Sequence, residues 1–443
     1  MKDDRLKKTF PHYFGKEWIR ANLPEEGQLW LQGKHRSASQ DRSSKMALNK
    51  ELARLTEQDN WKWPKRNLYF FSDLHADSDA FLASLVASGG VEKTGSDDDA
   101  FQLTRIGGKA RFVIGGDCFD KGPSNLRLLR SIRLLIDKGA KLHLLAGNHD
   151  IRVKLGIRSV GLERDPRTEH FFIRMGAKSI PFLKEICEQY LDGPNAIRHI
   201  PGTRECKRRL YPSKTWFDEF PAVARWTMPE KGVERELRRM QRKVDSFEGD
   251  CDRAGLNLRM AYAAALKWQQ LFLHPKGEFS WYFKRMRLAY RKGSFLFVHA
   301  GLDDRIAKFI SKKGVKSLNK QYKEHVSEEL FEFYYGPLAN TIRTKYRDVD
   351  MPLTKHGVSL VKKKGIRALV HGHKNLHHGQ RIMVRKGLVN FECDASVDQH
   401  TRKKEGLSPY GAAVTIFRPE GLVLGISTDH PYIKVFKPGF LTD

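Results

Sequence analysis

The chain is 443 residues long, 40% hydrophobic and 30% charged, the composition of a globular protein with room for two or three domains. No apolar run approaches the roughly eighteen residues that cross a bilayer, so no membrane partner is expected. Its 80 Lys and Arg against 52 Asp and Glu give a formal net charge of +28, a field that draws in nucleic acid, nucleotides, polyphosphate or acidic proteins.

The opening stretch MKDDRLKKTF is charged and lacks the apolar core of a secretory leader, which predicts the cytoplasm. Cys118, Cys187, Cys206, Cys251 and Cys393 are scattered and odd in number, as expected of reduced thiols. Residues 1–65 are mixed, basic and poorly periodic, and read as an N-terminal extension. Within them SKMALNKELARLTEQ predicts a short amphipathic helix with Ser44 near its N-cap. Trp18, Trp30, Trp61 and Trp63 predict that the extension packs onto the rest of the chain.

From residue 66 a pattern sets in. NLYFF precedes SDLHAD, RFVI precedes GGDCFD, and KLHLLA precedes GNHD. Each apolar run is strand-length and ends in carboxylates, imidazoles or amides. Between the second and third runs, NLRLLRSIRLLIDKG has helical spacing with Gly139 as its C-cap. Residues 151–293 then interrupt. They are mostly helical by pattern (Arg167–Leu191, Glu230–Phe247, Arg253–Phe272) and rich in Arg and Lys, as in RECKRRL and ERELRRMQRK. This segment reads as a basic, helical domain inserted into a loop of the core, overhanging whatever lies at its ends. The core resumes over 294–443: SFLFV precedes HAGL, and RALV precedes HGHKN. GQRIMV, GLVNFEC, AAVTIF and LVLGI follow as antiparallel strands, the last two a hairpin turned at Arg418–Gly421. Strands alternating with helices predict an α/β core, in which ligands gather beyond the C-terminal ends of the strands.

The residues at those ends have one chemistry in common. Carboxylate oxygens and neutral imidazoles are ligands of hard to borderline divalent metals such as Mn, Fe and Zn. Asp73 and His75, two apart on an extended segment, point the same way and can grip one ion. Asp117 follows two glycines that permit a tight turn, and its two oxygens can bridge two cations. Their charge would offset the desolvation of a buried carboxylate. Asn148 offers an amide oxygen, and His299 and His373 add imidazoles. Asp120 is suited to hydrogen-bond His149 and fix its tautomer. His371 shares a side of an extended H-G-H with His373 and is a candidate substrate contact.

The order D-x-H, G-D-x-x-D, G-N-H-D, H-A-G and G-H resembles the calcineurin-like metallophosphoesterases. GDCFDKGP and VHAGL are most similar to the branch of serine/threonine phosphoprotein phosphatases and symmetrical diadenosine tetraphosphate hydrolases. The resemblance covers about 67–150 and 293–394. It implies a two-sheet β-sandwich flanked by helices, here with a large helical insertion. It also implies two divalent metal ions, with Mn favoured. Asp73, His75 and Asp117 would hold the first ion, and Asp117, Asn148, His299 and His373 the second. His149, oriented by Asp120, would stand beside the leaving group. Three departures stand out. Asn375 occupies a position where many relatives have His. Lys121 replaces the usual Arg and meets phosphate as a point charge. Ala76-Asp77 follows D-x-H where the close relatives usually have Gly, and Asp77 reads either as a cap of the helix that follows or as an acid behind the metal ligands, the cap favoured.

The resulting expectation is a dinuclear-metal-dependent phosphatase that hydrolyses a phosphomonoester, carried by a phosphoprotein or a small organic phosphate, through a metal-bridging hydroxide. Lys121, Asn148 and His371 would contact the substrate. Two alternatives in the same class are a nucleotide or diadenosine polyphosphate hydrolase and a nucleic-acid phosphoesterase. A different class is a nucleic-acid-binding module with a residual metal site. No RNA-recognition sequence, zinc-finger spacing or basic zipper supports the last, and no segment signals an oligomeric state.

Overall fold

A computed structural model describes residues 7–30, 48–58, 60–193 and 195–438. The larger of its two principal sheets has eight strands, in the order Gly27–Leu29, Ile433–Phe436, Leu422–Ser427, Ala413–Arg418, Leu68–Phe71, Arg111–Ile114, Leu142–Leu145, Met286–Arg287. The second has five: Arg381–Arg385, Leu388–Glu392, Ala368–His371, Phe295–Val298, Ala289–Lys292. The runs recognised by their apolar content form the parallel centres of both. Leu68–Phe71, Arg111–Ile114 and Leu142–Leu145 run parallel in one, and Phe295–Val298 and Ala368–His371 in the other.

Side-chain alternation explains why these runs are apolar throughout. Leu68, Phe70, Val113 and Leu145 point into a cluster shared with Phe295, Phe297, Ala368 and Val370 of the other sheet. Tyr69, Phe71, Phe112, Ile114 and Leu144 point the other way, into a cluster built with the helices. A strand covered on both faces has no polar side to show. Trp30 is buried in the inter-sheet cluster, and Trp61 and Trp63 pack against it. Trp18, expected to pack as well, is 48% exposed.

The predicted helix after the second strand spans Asn125–Asp137, and Gly139 sits beyond it at φ +95°. Asp77 caps the helix Ser78–Ala87, its Oδ1 accepting from Ala80 N at 3.0 Å. A helix covers Leu48–Gln58, while Ser44 lies outside the described residues. Helices follow at Phe171–Met175, Ile180–Tyr190, Thr203–Leu210, Trp216–Ala224, Glu230–Arg253, Leu258–Phe272 and Ser280–Arg285. The run expected over Arg167–Leu191 is broken at Gly176, whose φ is +67°. These helices share one hydrophobic cluster with the sheets, so Phe182, Trp268 and Tyr282 pack in continuity with Phe112. Leu388–Glu392 differs from the expected antiparallel arrangement. It is antiparallel to Arg381–Arg385 but parallel to Ala368–His371. All five cysteines are buried free thiols. Among the described residues no helix is long and apolar enough to cross a membrane.

Candidate metal centre

The five parallel strands end at one margin, where the chain leaves the sheets in tight loops. Asp73, His75, Ala76, Asp117, Asp120, Lys121 and His373 all have φ between +42° and +69°. A left-handed residue other than glycine costs roughly 1–2 kcal/mol, so such a concentration persists only where surrounding contacts hold it. Here the loops hold one another. Asp73 N, His75 N and Ala76 N donate to the carbonyls of Gly116, Asp117 and Cys118 at 3.2, 2.9 and 2.7 Å. The D-x-H segment is therefore not the extended piece its spacing suggested. Its two side chains meet because both residues turn left-handed against the next loop. Gly147 and Gly372 complete the close approach, since a Cβ on either would overlap Asp117 or Asp73.

The Asp117 carboxylate occupies the middle. Its Oδ1 accepts from His149 N at 2.8 Å. Its Oδ2 lies 4.0 Å from His75 Nε2, 3.9 Å from His149 Nε2 and 3.5 Å from His299 Nε2. Two clusters of donor atoms, His75–Asp117–His149 and Asp117–His299–His373, share it. Asp73 Oδ1 lies 3.9 Å from His75 Nε2, while its Oδ2 accepts from His373 N at 3.0 Å and from Ser72. Asn148 Oδ1 stands 3.1 Å from His299 Nε2, and His373 Nδ1 is 3.2 Å from the same nitrogen.

The donor set fits divalent cations by its tautomers. His75 Nδ1 is 3.1 Å from Phe119 O, His299 Nδ1 2.8 Å from Gly115 O, and His373 Nε2 3.2 Å from Arg343 O. A carbonyl only accepts, so each of these nitrogens carries a proton. In a neutral ring the other nitrogen, the one facing Asp117, is then a lone pair, as outer contacts of metal-ligating imidazoles arrange it. Burial holds His75 and His373 well below the usual imidazole range, hence neutral. Burial opposes charge on His299 too, but Asp117 overrides it and pushes this ring up to about 10. The pocket around Asp117 thus calls for positive charge. At His75 an ammonium answers: Lys121 Nζ is 2.8 Å from Nε2. Half a turn of the Asn148 amide would give ordinary hydrogen bonds to His373 Nδ1 and His299 Nε2.

Asp120 Oδ2 receives His149 Nδ1 at 2.8 Å, the pairing expected from sequence. Arg152 was not foreseen. Its Nη2 contacts the same carboxylate oxygen and lies 2.9 Å from His149 Nδ1. Burial alone would raise Asp120, but Arg152 and His149 draw it below the usual carboxylate range.

The spacing of GNHD assigns Asp150 no role. It is fully buried and its carboxylate gathers the loops. Oδ2 accepts from Asp117 N at 2.8 Å and Gly147 N at 3.0 Å, and Oδ1 from Cys118 N at 3.0 Å and Tyr282 Oη at 3.0 Å. Asp150→Asn turns one of these acceptors into a donor facing N–H groups. We expect a loss of about 1–3 kcal/mol in denaturant unfolding, together with weaker metal binding by the loops it ties. Asp394, also missed, is buried near Asp73 and Lys121 and is held well above the carboxylate range by burial and by Asp73.

Two substrate-contact expectations change. His371 is fully buried at the end of its strand, 4.0 Å from Glu392 Oε1. His373 has turned left-handed, so the two imidazoles do not share one side of an extended segment, and His371 has no path to a substrate. Lys121 points at His75 rather than outward. Asn375 is exposed.

Residues 66–245 match the sequence model of the calcineurin-like phosphoesterases. No curated protein gives a match. Among solved structures the chain is similar to a cold-active protein tyrosine phosphatase, with 14% identity over 93% of this chain and 89% of that one and a TM-score of 0.44. Its likeness to the cold-active protein-tyrosine phosphatase of a psychrophile Shewanella species is 13% over 92% and 89%, TM-score 0.40. A protein serine/threonine phosphatase from Saccharomyces cerevisiae with similarity to human phosphatase PP5 matches at 10% over 88% and 87%, TM-score 0.37. The matched stretch carries the first three of the motifs gathered at this sheet margin, so residues 66–245 are similar to the calcineurin-like phosphoesterases, and the His and Asp groups of the margin could hold metal ions.

Proposed function

We propose that the protein is a phosphatase that hydrolyses a phosphomonoester at a dinuclear centre. Asp73, His75 and Asp117 would hold one divalent cation, and Asp117, Asn148, His299 and His373 the other. The observation that carries this reading is the position of Asp117, the one residue common to both donor clusters. When bound, the cations supply Lewis-acid activation of a water and screening of phosphate charge.

The chain's own residues do the rest. Asp117 Oδ2 is an acceptor ringed by imidazole nitrogens, so it fixes the separation of the two halves of the centre. His149 is the general acid. As an imidazolium it donates Nδ1–H to Asp120, leaving Nε2–H directed at the centre, from which it can protonate the departing oxygen. Asp120 stabilises that cation, while burial and Arg152 oppose it, so the proton is held loosely enough to be given up. Arg152 brings positive charge to the phosphate oxygens. A nucleic-acid-binding module with a vestigial metal site would have no need of a complete donor set or of a paired, protonatable imidazole beside it.

The test is turnover of p-nitrophenyl phosphate with added Mn, Fe or Zn, before and after chelation. The reading expects activity that is lost with chelator and restored by metal. Bis(p-nitrophenyl) phosphate turned over faster than the monoester would favour a nucleic-acid phosphoesterase instead.

A further inference from the structure

We propose that the cavity next to the metal centre is a second phosphate site, and that the substrate is a small organic molecule bearing more than one phosphoryl group. This rests on the phosphatase reading and narrows it.

The cavity is about 600 Å³, within the range of roughly 300–1,000 Å³ that suits small ligands. It adjoins the centre directly, because Asn148 and Arg152 belong to both. Its far walls come from the helical segment that interrupts the core: Lys178 after the break at Gly176, and Arg239, Arg242 and Lys243 along the helix Glu230–Arg253. Arg343 closes the side towards His373.

The charge here is one-sided. Asp250 is the only carboxylate among the lining residues, and it is already paired with Arg253. Glu236, behind the wall, is taken by Arg174 and by Arg239 at 2.9 Å. Among the described residues no carboxylate lies within ion-pair distance of Lys178, Arg242, Lys243 or Arg343. Arg343 and Lys243 instead donate to backbone carbonyls, of Tyr334 at 2.7 Å and of Arg174. Burial, with Arg174 and Arg152, pushes Lys243 down to about 7. Cations gathered without counterions in a concave, partly desolvated space repel one another until an anion arrives.

A single phosphate at the metal centre does not meet this demand, since its charge is met by the cations and by His149. A second phosphoryl group on the same molecule, extending past Asn148 and Arg152, would. Arg239 and Arg242 can grip its oxygens in pairs. Met175, Tyr334, Ala339 and Ile342 offer apolar surface for the organic part between. A nucleic acid would instead want an open basic groove tracking a backbone, whereas these cations converge on a pocket of small-molecule size.

The test is calorimetry on the Mn-loaded full chain at one salt concentration. Three ligands are compared: adenosine monophosphate, the β,γ-imido analogue of adenosine triphosphate, and a single-stranded DNA 12-mer. The triphosphate analogue is expected to bind about 30-fold or more tighter than the monophosphate, the worth of one or two charge-assisted hydrogen bonds. In Lys178→Ala/Arg242→Ala that ratio should fall about tenfold or more. Lys312→Ala/Lys316→Ala removes equal charge from two exposed positions on either side of the helix kink at Gly314 and should keep the ratio, which separates a built site from the general field of the chain. Equal affinity for the two nucleotides, or the same loss in both double variants, overturns the proposal. So does a 12-mer that displaces the triphosphate analogue with steep salt dependence, because it makes the ligand a nucleic acid. Absence of p-nitrophenyl phosphate turnover would sink the phosphatase reading by itself, while the calorimetric ratio still decides the cavity.

Discussion

Asp117→Asn is expected to lose both metal and activity. Removing one partner of a buried charge constellation costs about 3–5 kcal/mol, or roughly 10²–10⁴ in affinity for each cation that loses the carboxylate. Micromolar Mn that saturates the wild type should leave the variant largely empty by elemental analysis, with no measurable p-nitrophenyl phosphate turnover. The metal-free fold should survive. Asp117 raises its neighbours Asp73 and Asp150, so neutralising it relieves repulsion even as it loses His299. Added Mn should raise the melting temperature of the wild type, as any ligand of the native state does, and leave that of the variant where it was. A variant that kept both metal and turnover would remove Asp117 from the role given to it here.

His149→Ala should separate binding from chemistry. The ring is proposed as an acid rather than a ligand, so metal content and the Mn-dependent rise in melting temperature should persist. The maximal rate kcat should fall by about 10²–10⁴, the usual contribution of a positioned proton donor. Asp120→Asn leaves the ring in place but removes its counter-charge, and a loss of about 10–100-fold is expected, as for other outer partners of a working imidazole. The two changes act through one proton. The double variant should therefore be no slower than His149→Ala alone, and multiplicative losses would show that Asp120 does something else. Loss of metal in His149→Ala would also count against the assignment, since His149 Nε2 lies as near Asp117 as the nitrogen of His75 does.

Much of this centre can be read from the chain because its ligands follow buried strands. Leu68–Phe71, Arg111–Ile114, Phe295–Val298 and Ala368–His371 are apolar on both faces, so each ends abruptly where the first polar residues appear, and those residues are the donors. The reading fails where geometry is made by contacts distant in sequence. Asp150 is adjacent to His149, yet its four donors come from Asp117, Cys118, Gly147 and Tyr282. Nothing local marks it as a clamp rather than another acid in a motif. Arg152 is one basic residue among 80, and only the first turn of the helix Asn148–Ser159, which also holds His149, brings it to Asp120. His371 was misread for a related reason. Alternation assumed an extended H-G-H, and the left-handed turn at His373 is set by its amide reaching Asp73, 300 residues earlier.

The short strands Gly27–Leu29 and Ile433–Phe436 were missed because three- and four-residue edge pairs carry little periodicity. The charge of the helical interruption was legible, but its concentration on one cavity wall was not. That requires Lys178 to lie opposite the helix Glu230–Arg253, an arrangement made by Gly176 breaking the run that contains it.

The central claim is that two divalent cations flank a single carboxylate. Anomalous diffraction from crystals grown with Mn tests it most directly. The account predicts two peaks, one among Asp73, His75 and Asp117 and the other among Asp117, Asn148, His299 and His373. A single peak, or peaks away from Asp117 in a protein that still turns over p-nitrophenyl phosphate, would contradict it.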